Sequence, residues 1–214
     1  MIEQASLVRM AQPLRVDRVL AHALGSTKLA RWLAPIGNIW LAVGFQRNGI
    51  DASVSISSHI GKFGDEFTGL AREASPSYDA CIERSAEYLN WRFAENPLER
   101  YECLVAREAG RLTGYAIFTH TAEDAILVDL FGIKQESIFG RLLGFLAKQL
   151  QKRGVATISA PIVEGHPWRN VLQEAGYRVR ETSPFVVCPG TSSTAQVFKT
   201  PRGPWYLMHG DRDS

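Results

Sequence analysis

The sequence predicts an α/β fold built on a sheet of mixed strand direction, and three observations carry that prediction. Residues 101–120 read as an antiparallel hairpin, "YECLVARE" and "RLTGYAIFTH", turning at Ala109 and Gly110. A strand, helix, strand, helix series then runs from Asp124 to Gly176, as in a parallel crossover. At 214 residues the chain suits one ordinary domain with an added N-terminal element rather than two full domains.

Taken in order, Leu14, Val16, Val19, Leu20, Ala23 and Leu24 share one helical face, with Gly25 as a stop. Ser26 or Thr27 caps a second short helix ended by Pro35. With Arg15, Arg18, Lys28 and Arg31 on the outer side, this pair could lie on an anionic membrane surface, but apolar stripes on short helices usually pack on their own domain or a partner. "DASVSISSHI" (51–60) alternates like an exposed strand, and "GDEFTGLAREA" (64–74) reads as a short helix. "SAEYLNWRFAENP" (85–97) predicts a helix ended by Asn96 and Pro97. After the hairpin, "DAILVDLFG" (124–132) is a strand, and Ser137 to Arg153 a helix that buries Ile138, Phe139, Leu142, Leu143, Leu146 and Leu150 and stops at Gly154. "VATISAPIV" (155–163) is the next strand and "PWRNVLQEAG" (167–176) the next helix. "YRVRETSPFVVCP" and "WYLMHGD" are late strands flanking a loop, "PGTSSTAQ".

Composition narrows the function classes. A formal charge of +2 with 21% charged residues is too balanced for a protein whose main partner is nucleic acid. Cys81, Cys103 and Cys188 are widely spaced and form no CxxC pair, so the sequence offers neither a disulfide framework nor a zinc site, and the thiols read as reduced in a cytoplasmic protein. "MIEQASLVRMAQPLRV" lacks the apolar core of a secretory signal, and "IWLAVGF" (39–45) is too short to span a bilayer. No Ser-His-Asp order, nucleophile elbow or P-loop occurs.

The strand "AILVDLF" feeds "QESIFGR" (135–141), the start of a helix, and such a junction is where anionic cofactors settle. The element order, Gly114 in "TGYAIF", the strand "ILVDL", the helix ending "KRG", the strand "ATISA" and the helix ending "EAGY" resemble the GNAT superfamily of acyl-coenzyme A dependent N-acyltransferases from about Ser85 onward. "AEYLNWRFAENPLERYECLVARE" and "PWYLMHGDRD" look like a bacterial subgroup tied to surface polysaccharide or lipid-linked glycoconjugate assembly, in which this region often follows another GNAT-like half. The resemblance implies a mixed, mostly antiparallel central sheet flanked by helices over residues 85–214, with residues 1–84 as an N-terminal extension that is a remnant of, or docks, another half.

The resemblance also implies a cofactor, acetyl-CoA or another acyl-CoA. Its pyrophosphate would meet the helix N-terminus while a splayed central strand holds the pantetheine by main-chain hydrogen bonds. On this chain that assigns Leu130, Phe131, Gly132, Gln135, Ser137, Ile138, Phe139, Gly140 and Arg141 to the cofactor, with Ser137 as helix cap and Arg141 reaching a phosphate. Ile138 stands where the family pattern has its first Gly, which would place its side chain close to the pyrophosphate oxygens. The family's thiolate-protonating Tyr falls in register on Leu172, leaving Tyr206 as the aromatic that could face the cleft. Asp129 and His120 are the candidate bases. Trp91 and Arg92 could meet an anionic or sugar ligand, and His166 and Trp168 lie in a loop on the expected acceptor side, where His166 serves equally as a helix cap. Asp211 and Asp213 read as a solvated tail. The expected partners are a small-molecule or glycan-precursor acceptor and a homodimer mate or second GNAT-like half, with nucleic acid excluded and membrane contact disfavoured. The sequence therefore supports an N-acyltransferase acting on an amino sugar or envelope polysaccharide precursor, or else a GNAT-like binding or scaffold domain without activity.

Overall fold

The computed structural model describes residues 3–15, 54–133, 135–187 and 205–211. The helices expected between Leu14 and Pro35, the apolar run 39–45, Cys188, the loop 189–196 and Asp213 lie outside these residues or extend beyond them.

Seven strands form one sheet. In chain order they are β1 (Glu3–Pro13), β2 (Val54–His59), β4 (Glu102–Glu108), β5 (Arg111–His120), β6 (Asp124–Gly132), β7 (Thr157–Val163) and β8 (Arg178–Val187), and two short strands, β3 (Ala80–Cys81) and β9 (Trp205–Tyr206), pair with each other apart from it. The spatial order is β2-β4-β5-β6-β7-β1-β8, and only β6 and β7 run parallel among its pairs. The helices are α1 (Asp65–Ala74), α2 (Ala86–Leu89), which continues as one π-helical turn over Asn90–Ala94, α3 (Glu136–Lys152) and α4 (Arg169–Glu174).

Local chemistry explains most of these bounds. Ser85 accepts from the Tyr88 amide and caps α2. The α3 stripe Ile138, Phe139, Leu142, Leu143, Leu146, Ala147 and Leu150 is buried, as a period near 3.6 requires of a helix lying on a sheet. Gly154, at φ +86°, ends it in the left-handed region. β6 reads as a nearly continuous apolar run because it is buried from Leu127 to Gly132 at the centre of the sheet. "WYLMHGD", expected as a strand, pairs only at Trp205 and Tyr206 and then turns into a short 3-10 helix, His209–Asp211.

The two sheet strands described within the first 84 residues are not appended to a finished sheet. β1 lies between β7 and β8, antiparallel to both, and β2 edges β4, so both belong to the same sheet as the strands that follow. β1 was not foreseen as a strand at all. Val8, Met10, Ala11 and Gln12 are buried, so a two-sided environment replaces the alternation that marks a half-exposed strand.

The β4–β5 hairpin closes through a two-residue turn with both central residues at positive φ, Ala109 at 48° and Gly110 at 82°. This primed turn matches the twist of the strands, but an alanine there carries a Cβ penalty that Asn tolerates better. Ala109→Asn should raise stability by about 0.5–1 kcal/mol, read as a higher urea midpoint at unchanged slope.

Candidate functional site

β6 and β7 are paired for only three residues, Asp124 to Ile126 against Thr157 to Ser159. Beyond them β6 stays with β5 as far as Gly132 and β7 stays with β1 as far as Val163, so the two parallel strands part and leave a wedge below the N-terminus of α3. An irregularity between Ile117 and Phe118 on the β5–β6 ladder sits beside Asp129, where the separation begins.

Residues 205–211 fill that wedge. The Tyr206 hydroxyl donates to the Leu130 carbonyl. The Leu130 amide donates to Met208 Sδ at 3.2 Å, and the Val163 amide to the Leu207 carbonyl at 3.2 Å. Met208 bridges antiparallel to Ile162. Tyr206 and Met208 are buried, and Gly210 is wedged so closely that an added Cβ would lie 2.9 Å from the Phe93 ring and 3.2 Å from Val128.

Behind the segment lies a buried ionic cluster. Arg84, just before α2, points its guanidinium to Asp129 on β6 (Nε–Oδ2 3.2 Å) and to both carboxylate oxygens of Asp211 (2.7 and 2.8 Å), and donates to the Ile82 carbonyl at 2.5 Å. The three side chains are 1%, 2% and 3% exposed. Tyr115 donates to Asp129 at 2.9 Å, and the guanidinium lies 4.6 Å from the Tyr206 ring centroid. Burial alone would lower the Arg84 pKa, but the two carboxylates outweigh it and hold it well above its ordinary value. Burial pushes the Asp211 carboxyl up, with Arg84 pulling against it and Asp129 adding to it. Two anions thus share one cation away from water.

The expected site residues divide accordingly. Asp129 and Tyr206 meet in this cluster, with Leu130, Phe131 and Gly132 beside it on β6. Burial, then the Asp129 carboxylate, raises the Tyr206 pKa well above its ordinary value, so the phenol keeps its proton. His166 and Trp168 line the same region, the imidazole 4.7 Å from the Tyr206 ring and the indole 4.2 Å from Phe139. His166 does not cap α4, whose N-cap is Trp168; its Nδ1 accepts from the Trp168 amide at 3.1 Å, which leaves the proton on Nε2. Burial, and then the Arg84 charge, lowers its pKa to about 3. His166 Nε2 and Trp168 Nε1 are buried donors without a hydrogen-bond partner among the described residues.

Other expectations are redirected. Ile138 does not crowd the helix terminus: it is buried beneath Gly114, whose added Cβ would meet Ile138 Cγ2 at 3.7 Å, and its amide donates to the Gln135 carbonyl at 3.1 Å. Gln135, not Ser137, is the N-cap of α3, and it makes no side-chain cap bond. Arg141 turns away to the Val54 carbonyl at 2.7 Å because its position in the helix faces β2, while Phe139 packs inward and Gly140 is half-buried. Asp211 is not a solvated tail but the second anion of the buried cluster. Trp91 is 65% exposed beside Tyr88, while Arg92 donates to the Gly210 carbonyl at 2.9 Å and so braces the wedge segment. His120 is three register steps from the Ile117–Asp129 pair, roughly 10 Å along the sheet, and joins Glu102 and Arg153 instead. There it borders a cleft of about 830 Å3, lined by His59, Lys62, Phe63, Tyr101 and Glu102 among others, at the opposite end of the sheet from α3's N-terminus. Arg84, the residue that organises the cluster, was not singled out by the sequence.

Neither a family model nor a curated protein matches the sequence. Solved structures do match the architecture. A probable N-acyltransferase from Enterococcus faecalis superposes with a TM-score of 0.58 at 12% identity over 86% of this chain and 40% of that one. A GCN5-related N-acetyltransferase from Anabaena variabilis gives 0.55 at 12% identity over 86% and 40%. The chain has the GNAT fold. A conserved protein of unknown function from Staphylococcus epidermidis gives 0.53 at 9% identity, covering 86% of this chain and 62% of its own length. The chain therefore spans between about two fifths and three fifths of these structures. Among the described residues no helix is long and apolar enough to cross a membrane.

Tyr206 and Met208 thus hold the carbonyl and the amide of Leu130, respectively.

Two measurements probe this cluster. Arg84→Leu leaves Asp129 and Asp211 buried without a countercharge and should destabilise by about 3–5 kcal/mol in urea unfolding. His166 takes up no proton when folded until about pH 3, whereas the unfolded imidazole protonates near 6.5, so stability falls as pH drops through that window. His166→Gln removes that contribution: the unfolding free energy of the parent, relative to the variant, should decline by about 1.4 kcal/mol per pH unit below about pH 6.

Proposed function

We propose that this chain is an N-acyltransferase of the GNAT kind, cytoplasmic, using acetyl-CoA or another acyl-CoA as donor and the amine of an amino sugar or related envelope polysaccharide precursor as acceptor. The observation that supports it is the parting of β6 and β7 below the N-terminus of α3, since parallel strands that separate expose main-chain donors and acceptors to an extended ligand while the helix terminus favours its phosphates. The acceptor class rests on the likeness of "AEYLNWRFAENPLERYECLVARE" and "PWYLMHGDRD" to the polysaccharide-associated subgroup. Those two stretches pack on each other through Arg92 and Gly210.

Acyl-CoA would supply an activated thioester carbonyl. The chain's part is positional. Leu130 turns its amide and carbonyl to the wedge, with Phe131 and Gly132 following it on β6, and Gln135, Ser137, Ile138, Phe139 and Gly140 start α3 above it. Tyr206 keeps its proton at Oη but donates it to the Leu130 carbonyl, so it closes the wedge rather than serving as an acid there, and Leu172, buried and apolar, cannot be one. Asp129 is tied to Arg84, so it orients Tyr115 and Tyr206 rather than working as a free base. His120, in contact with Glu102 and Arg153, stands apart from this chemistry. A second copy of the chain or another GNAT-like half is the partner we propose beside the acceptor. The second reading, a binding or scaffold domain without transferase activity, is favoured by one observation, the filled wedge.

Calorimetric titration of the full chain with acetyl-CoA tests the proposal. A saturable one-site isotherm is expected, and Tyr206→Phe, which takes the phenol off the Leu130 carbonyl, should tighten it several-fold. No heat at millimolar acetyl-CoA ends the transferase reading and leaves the scaffold.

A further inference from the structure

The way residues 205–211 sit in the wedge differs from the way the strands around them are joined. Elsewhere the sheet is held by long ladders of peptide N–H and C=O groups. Against β6 and β7 the segment makes one peptide hydrogen bond, Val163 to Leu207, one bridge at Met208, a phenol contact on the Leu130 carbonyl and a thioether contact on the Leu130 amide, while away from those strands it pairs with β3 and takes Arg92 on the Gly210 carbonyl. Sulfur is a weak acceptor, so a buried amide held by a thioether is poorly satisfied.

Two further donors point the same way. His166 Nε2, buried against the segment, and Trp168 Nε1, buried against α3, have no acceptor among the described residues. Each such group costs about 1–3 kcal/mol when left unpaired. The segment packs on His166 and does not pair it.

The ionic anchor is built to let go. Arg84 serves two carboxylates at once, Asp129 through Nε and Nη2 and Asp211 through Nη2. If Asp211 leaves, Arg84 keeps Asp129 and the Ile82 carbonyl, so one cation and one anion remain paired in the interior. Release therefore strands no buried charge, unlike the loss of Arg84 itself.

We propose that residues 205–211 are an exchangeable occupant of the wedge, which leaves β6 and β7 as a unit while the sheet stays folded and frees their main-chain groups for an extended, amide-bearing ligand. Such a ligand offers carbonyl oxygens where the segment offers sulfur. That the ligand is an acyl-CoA rests on the function proposed above; that the segment releases does not.

Amide hydrogen exchange of the full chain, followed by NMR, tests the release without any ligand. The amides of Leu130, Val163 and Met208 should exchange by a local opening far faster than those of Tyr115 to Ile117 in β5, which exchange only with global unfolding. Asp211→Asn and, independently, Gly210→Val should speed the first group about tenfold or more and leave its difference from the parent absent in β5, tenfold being what 1.4 kcal/mol of lost anchoring corresponds to. Exchange of all these amides at one common rate, in the parent and in Asp211→Asn, overturns the proposal. Acetyl-CoA is then added as a separate arm. Displacement of the segment's amide signals at an unchanged β5 supports both readings, whereas a segment that opens freely but ignores acetyl-CoA supports the release and counts against the acyl donor.

Discussion

One guanidinium between two carboxylates ties this molecule together. Arg84 reaches Asp129 on the central strand and Asp211, 127 residues further on, inside a shell of Tyr115, Phe131 and Tyr206. Desolvation of these charges is offset by their mutual contacts together with the Tyr115 and Met208 donors on the carboxylates and the Ile82 carbonyl on the guanidinium. The residues before α2, the middle of β6 and the wedge segment are therefore fixed relative to one another by a single side chain.

β7 shows how the two ends of the described chain depend on each other. On one side it is paired with β1 from Leu7 to Pro13, and on the other, past Ser159, it meets Leu207 and Met208. Val163 belongs to both, opposite Leu7 in the ladder and donating to Leu207. A GNAT-type wedge thus persists in the strand geometry while the chain supplies its own filling.

Much of the fold was readable from residues. The hairpin is announced by Ala109-Gly110, α3 by its apolar stripe and Gly154, and β6 by an apolar run interrupted only by Asp129. β1 was hidden because a strand buried on both faces loses the alternation that identifies strands, and its neighbours, β7 and β8, lie far along the chain. The cluster was half visible. Asp129 and Tyr206 stood out by position, but Arg84 in "CIERSAEYL" has the same sequence appearance as any surface arginine ahead of a helix cap, and Asp211 so near the end looked solvated. Burial of a charge is decided by what folds over it, and no local pattern records that. The same holds for Ile138: position in a motif suggested a clash with phosphate, whereas the turn of α3 points its side chain to the core.

The place of β1 in the sheet sets an order of events when the chain is made. Its partners are residues 157–163 and 178–187, so β1 leaves the ribosome long before either neighbour. Until β7 has emerged, a segment carrying Val8, Met10 and Ala11 has both its edges bare, and one stays bare until β8 follows, which makes it a natural client for a chaperone or a site of mispairing with another nascent copy.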